Sequence, residues 1–204
     1  MKILIIGDSF SADWTIKYPN GEGWPNLLAR YYDVLNLSQA GVSEYKIHRQ
    51  LKSIEKIDIY DIVIVSHTSP YRVHTTRHPV HYNDLLHKHA DLSLSDIQYH
   101  ARRLRNCANI SLWSAYRFFK DHFDEEFQLD VYWLLVNKIH EQLKTMRCIV
   151  INNFVCPPDF QGLADEIVDC SELQKSFPGL HNHLNEYGNQ KVFDTLQSLI
   201  NESA

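Results

Sequence analysis

Four short apolar runs punctuate the chain, and they are not diluted by regular polar alternation. Ile3 to Ile6, Asp33-Val-Leu-Asn-Leu37, Asp61-Ile-Val-Ile-Val65 and Arg147-Cys-Ile-Val-Ile-Asn152 are rich in branched residues and end in polar or small ones. Runs of this kind suit strands covered on both faces. Between them the apolar positions recur at helical spacing: Trp24 to Tyr31, Glu44 to Ile54, and the stripe Phe127, Val131, Leu134, Leu135, Ile139 and Leu143. A last helix is predicted from about Leu184 to Ile200, its buried side marked by Leu184, Gly188, Val192, Leu196 and Ile200. Strand alternating with helix predicts an α/β fold with a mostly parallel sheet wrapped on both faces.

The stretch from Pro70 to about Glu126 is longer than a simple crossover needs. Its mixture of charged and aromatic residues, with Tyr99, Trp113, Tyr116, Phe118, Phe119 and Phe123, predicts two or three inserted helices that could cap a cleft. No internal repeat, low-complexity tract or Gly/Pro/Ser-rich linker interrupts the sequence. Residues 1–204 are therefore read as one domain with a helical insertion at about 70–126.

A chain of 204 residues can bury a core without disulfides or metal. Its net charge of −5 provides no basic field, which argues against nucleic acid or an anionic membrane as partner. A small molecule, neutral or modestly charged, fits better. The run Ile3 to Ile6 is too short for a signal peptide, and no later run reaches the length of a membrane span, so a soluble cytoplasmic protein is expected. Cys107, Cys148, Cys156 and Cys170 show no close metal-type pair and are expected as reduced, buried filler.

Candidate chemistry begins where the first strand ends, at Gly7-Asp8-Ser9. Open α/β sheets bind ligands outside the carboxyl ends of their strands, so Ser9 is a candidate nucleophile, with Gly7 allowing the chain to turn. Taken alone, the three residues read as well as a turn and a helix cap. Serine needs a base to remove its proton. Gly179-Leu-His-Asn-His183 supplies one at the entry to the last helix, with Asn182 or Asn185 available as cap.

These residues resemble the SGNH hydrolases, also called GDSL-type esterases and lipases. Gly7-Asp8-Ser9-Phe10 resembles the nucleophile block, and Gly23-Trp24-Pro25-Asn26-Leu27-Leu28 is similar to the segment that often follows it. Asn36-Leu-Ser-Gln-Ala-Gly41 resembles the second block, whose glycine lends an N–H to the oxyanion hole, and His183-Leu-Asn-Glu-Tyr-Gly188 resembles the block that holds the base. Their order and spacing match. The resemblance implies a flavodoxin-like three-layer α/β/α sandwich and a serine ester hydrolase that needs no cofactor. Its substrate would be a small acyl ester or an O-acylated sugar. Ser9 and His183 would be the catalytic pair, with the Ser9 and Gly41 N–H groups as oxyanion donors.

The sequence departs from that pattern at two places. Where the third block reads Gly-x-Asn-Asp, this chain has Ser66-His-Thr-Ser69-Pro70; Thr68 is the nearest and weaker oxyanion donor if Ser66 takes the glycine's place, and a small shift puts Ser69 or Pro70 there instead. Three residues before His183, where the family places an acid, stands Leu180, with His181 next to it. Ser9 and His183 would then act as a dyad, or with a distant acid. A non-catalytic module that keeps the cleft for a carbohydrate or acyl ligand is the alternative, and acyl transfer would use the same residues. Six histidines fall between His67 and His89. His78, His81 and Asp84 could converge on zinc, but Pro79 and the lack of a His-Glu-x-x-His pattern favour solvated or cleft-lining rings and no metal. Arg72 could recognise substrate from the rim. The acidic run Asp121, Asp124, Glu125 and Glu126 reads as a solvated helix end.

Overall fold

The computed structural model describes residues 1–103, 106–153, 160–179 and 183–202. Those residues form a five-stranded sheet of β1 (Lys2–Gly7), β2 (Asp33–Asn36), β3 (Ile62–Ser66), β4 (Arg147–Asn152) and β5 (Glu166–Asp169). Its strand order is β2-β1-β3-β4-β5 and every pairing is parallel. This is the flavodoxin-like order, in which the chain reverses direction of growth beside β1 and leaves a crevice at the strand ends.

The apolar runs are buried on both sides because successive side chains point to opposite faces. Ile3, Ile5, Ile62, Ile64, Ile149 and Ile151 meet Trp24 and Leu28 of α1 (Trp24–Leu28) and Val192, Leu196 and Ile200 of α7 (Glu186–Glu202). On the other face Leu4, Ile6, Val63, Val65 and Val150 meet Ile47 and Leu51 of α2 (Glu44–Lys52) and Tyr132, Val136, Ile139 and Leu143 of α5 (Glu125–Leu143). Each large aliphatic side chain so buried stabilises the fold by about 1.5–3 kcal/mol. The result is the three-layer α/β/α sandwich.

Several boundaries differ from the sequence reading. α1 stops at Leu28 and β2 at Asn36, while α7 starts at Glu186, with the Asn185 side chain accepting from the Gly188 N–H at 3.1 Å. The edge strand β5 has no counterpart in the sequence reading: of its four residues only Val168 is buried, and the short α6 (Leu173–Ser176) follows it. Between β3 and α5 lie α3 (Leu94–Ala101) and α4 (Ile110–Asp121), which pack on each other around Ile97, Leu112 and Phe119. Asp124 of the acidic run caps α5 by accepting from the Phe127 N–H at 3.0 Å.

The irregular segment before α3 is stitched to α2 by Asp91. Its buried carboxylate takes the Ser43 N–H (2.8 Å), the Thr75 N–H (2.7 Å) and Lys46 Nζ (2.8 Å). Of the cysteines, Cys148 and Cys170 are buried, and burial pushes each thiol up to about 12. Neither is a nucleophile at neutral pH. Cys107 is exposed, contrary to the filler reading, and Cys156 lies outside the described residues. No helix among the described residues is long and apolar enough to cross a membrane.

Candidate functional site

Gly7 closes β1 opposite Ser66 of β3, and the reason for glycine there is space. Its φ is not positive; among the described glycines only Gly41 and Gly162 have positive φ. A Cβ on Gly7 would stand 2.4 Å from Ser11 Oγ and 2.7 Å from both Ser66 Cβ and Ser66 O. The Gln50 side chain fixes the same peptide from α2, accepting from the Gly7 N–H at 2.8 Å and donating to the Gly7 carbonyl at 3.0 Å.

Beyond Gly7 the loop is held at each residue. Asp8 Oδ1 accepts from the Phe10 N–H at 3.0 Å, and the Ser11 N–H reaches back to the Asp8 carbonyl at 3.2 Å. Two indoles grip the backbone from outside: Trp14 Nε1 donates to the Ser9 carbonyl at 2.7 Å and Trp24 Nε1 to the Phe10 carbonyl at 3.0 Å. Ser9 is thus fixed by a loop with little freedom, its residue only 4% exposed.

His183 arrives from the other end of the chain. An isolated bridge between Pro178 and Leu184 and the Gly179 N–H, which donates to the His183 carbonyl at 2.7 Å, shape the turn before α7. The imidazole lies against Phe10 and Trp14, with ring centroids 4.5 Å away in each case. Asn189 ties this turn to α1: its Oδ1 accepts from the Trp24 N–H at 3.1 Å and its Nδ2 donates to the Leu184 carbonyl at 3.2 Å. Ser9 and His183 consequently line one cavity of about 450 Å³, together with Phe10, Trp14, Tyr18 and Asn189. No direct hydrogen bond joins Ser9 to His183. Leu180, His181 and Asn182 lie outside the described residues. No residue of α3 or α4 lines the cavity, so these helices do not form the cap expected from sequence.

The other residues singled out from sequence sit behind Ser9. Gly41 is buried with φ +78°, a conformation glycine adopts readily. Among the described residues, neither the Ser9 nor the Gly41 N–H has a hydrogen-bond acceptor. Arg72 turns inward rather than to the rim, and its guanidinium donates to the Gly41 carbonyl at 3.1 Å. Thr68 is fully buried, with its N–H 3.4 Å from Glu44 Oε2 and its hydroxyl beside Asp8. Gly41, Thr68 and Arg72 are not among the lining residues of the cavity.

Asp8, which the sequence reading treated only as part of a motif, is completely buried. Burial pushes its carboxyl up to about 6; the Arg72 charge and the Phe10 N–H oppose this less strongly. Because the folded value lies above the ordinary 3.8, the folded chain holds a proton between those values that the unfolded chain has lost. Stability contributed by this group is therefore present at low pH and declines as pH rises through that window, by about 3 kcal/mol in all. Asp8→Asn keeps an oxygen for the Phe10 N–H and carries no charge. In urea unfolding at about pH 4 and about pH 7.5, wild type is expected to lose about 2–3 kcal/mol relative to this variant.

Of the six histidines from His67 to His89, His67 and His78 are buried rather than solvated, whereas His74 and His89 are exposed; His100 and His140 elsewhere in the chain are buried too. His67 Nδ1 lies 2.7 Å from Glu44 Oε1 and its Nε2 lies 3.1 Å from His140 Nε2. Burial, and the His67 ring beside it, lower His140 to about 4. This chain lies on the α5 side of the sheet, away from the cavity lining, so His67 cannot serve as base for a ligand held there.

No protein-family model matches the chain, and no curated protein matches its sequence. Solved structures resemble it. The acetyl xylan esterase AlAXEase superposes with a TM-score of 0.52 at 12% identity, covering 98% of this chain and 100% of that one. A GDSL-like lipase from Bacteroides thetaiotaomicron VPI-5482 gives a TM-score of 0.50 at 10% identity, covering 100% of this chain and 89% of that one. At such identities the likeness is one of fold: the chain has the architecture of the SGNH/GDSL hydrolases.

Proposed function

We propose that this protein hydrolyses a small acyl ester or an O-acylated carbohydrate, with Ser9 as nucleophile and His183 as base. The observation that carries the reading is the arrival of both side chains, from opposite ends of the sequence, at one cavity beyond the carboxyl end of β1. Ser9 Oγ attacks the ester carbonyl as His183 takes its proton, and the protonated imidazole returns that proton to the leaving alcohol. Water then repeats the sequence on the acyl-serine. The Ser9 N–H, at the cavity, is the first oxyanion donor, and the Gly41 N–H, which stands behind Ser9 outside the lining, would be the second; neither has an internal acceptor among the described residues. Arg72 serves this hole indirectly, by holding the Gly41 carbonyl while its charge faces Asp8. Thr68 is the weaker third donor in this reading, its hydroxyl buried behind Ser9 and outside the cavity lining.

The cavity also suits the carbohydrate part of such a substrate. Trp14 and Tyr18 stack with ring centroids 5.9 Å apart, and Asn20, Glu22, Arg30 and Gln190 supply polar groups around them. Flat aromatic faces bordered by hydrogen-bonding groups are suited to sugar rings. Turnover of 4-nitrophenyl acetate and butyrate by the native protein tests the reading; a correctly folded sample that turns over neither contradicts it. The lack of a direct Ser9–His183 hydrogen bond favours a second reading, a non-catalytic module that binds the same ligands. Catalytic hydrogen bonds often tighten only around substrate, which keeps hydrolysis first.

A further inference from the structure

A second cluster of reactive side chains stands apart from the cavity, where the turn at residues 78–81 packs on α3. His78 Nε2 and His81 Nε2 each lie 3.2 Å from Asp96 Oδ2, and the rings of the two histidines stack with centroids 4.5 Å apart. One ring nitrogen from each histidine and one carboxylate oxygen all fall within 4.8 Å of one another. Neighbouring ligands on a tetrahedral zinc, at bond lengths near 2.0–2.1 Å, are about 3.3 Å apart. The two nitrogen-to-carboxylate distances match that requirement.

The His78 side chain is fully buried, and its Nε2 has no well-formed hydrogen bond. A buried imidazole nitrogen aimed at a carboxylate without bonding it well is costly in an ion-free protein. It is what a shared central cation would satisfy. We propose that His78, His81 and Asp96 bind a zinc-like divalent cation that staples the 78–81 turn to α3. His100 Nε2, 3.5 Å from Asp96 Oδ1 one helical turn along α3, is the nearest further nitrogen. Two imidazoles and one carboxylate select zinc, cobalt or nickel over magnesium or calcium, which require oxygen ligands.

Like His81, whose Nε2 faces both Asp96 oxygens at 3.2 Å, His78 must change tautomer to ligate. Its Nδ1 accepts from the Val80 and His81 N–H groups, both at 3.2 Å, which places the ring proton on Nε2 when no cation is bound. Ligation through Nε2 moves that proton to Nδ1 and releases the two N–H groups. Val80 and His81 are only partly buried, so water can take both. The cation thus carries a local rearrangement of the turn, and no step of ester hydrolysis passes through it.

The test uses the full chain after chelator treatment, titrated with zinc by calorimetry and with cobalt by visible absorption. One site with the intense visible bands of tetrahedral cobalt is expected in wild type, in His89→Ala and in His122→Ala, whose exposed rings lie outside the cluster. Affinity should fall at least about 100-fold in His81→Ala and Asp96→Ala, since even supporting residues of metal sites are worth about 10–100-fold. Asp96→Asn, which preserves shape, should show the same loss with an unchanged far-ultraviolet spectrum. Absence of binding, octahedral cobalt spectra, or equal affinity in the cluster variants would overturn the proposal.

Discussion

Ser9→Ala and His183→Ala are each expected to lower kcat/KM on 4-nitrophenyl acetate by at least about 1,000-fold, with most of the loss in kcat. A serine nucleophile and its base act as a unit, so removing either removes the chemical step, while the cavity that binds substrate remains. Two features keep these variants folded. Ser9 Oγ makes no hydrogen bond among the described residues, and the loop around it is fixed by Trp14, Trp24 and Asp8. His183 contributes ring contacts with Phe10 and Trp14, but its turn is shaped by backbone bonds that alanine preserves. Steady-state kinetics together with unfolding curves check both halves. Unchanged rates in both variants would assign any measured activity to other residues.

The second large effect concerns stability. Gly7→Ala is expected to destabilise the protein by at least about 3 kcal/mol, above the common range for overpacking because the clash is with main chain. Gly7 pairs in register with Ser66, and the new methyl group would sit 2.7 Å from the Ser66 carbonyl oxygen. A side chain could rotate away; a strand held on both sides cannot. Ser11 Oγ, at 2.4 Å, would also be displaced from its 2.9 Å bond to Ser38. Gly162→Ala is the control. Nothing lies within 4 Å of its Cβ position, but φ is +80°, so the cost reduces to backbone strain of about 1–2 kcal/mol. Chemical denaturation of the two variants separates crowding from conformation, and equal effects would remove the close-approach explanation for Gly7.

The sheet was legible because its central strands are unbroken apolar runs, a pattern that only burial on both faces makes stable in water. β5 was not, since an edge strand with one buried residue leaves almost no periodic signal. The meeting of Ser9 and His183 could be read from the order and spacing of motifs. The polar network behind Ser9 could not. Arg72 reads as a rim residue in sequence, yet its guanidinium is drawn to the Gly41 carbonyl. Asp84 reads as the acid nearest His78 and His81, whereas the fold spends it on Lys17 and gives those histidines Asp96 from α3. Partners of this kind are fixed by tertiary packing between segments that are distant or irregular, where hydrophobic periodicity carries no information.

Covalent labelling tests most directly whether a serine activated by a distant histidine lies at the heart of this protein. Incubation with an alkyl fluorophosphonate, followed by intact-mass analysis and peptide mapping, should give one adduct per chain on the peptide containing Ser9. The adduct should be absent in Ser9→Ala and form at least about 100-fold more slowly in His183→Ala. Labelling at another residue, labelling at the same rate without His183, or no adduct on the folded protein would contradict the account.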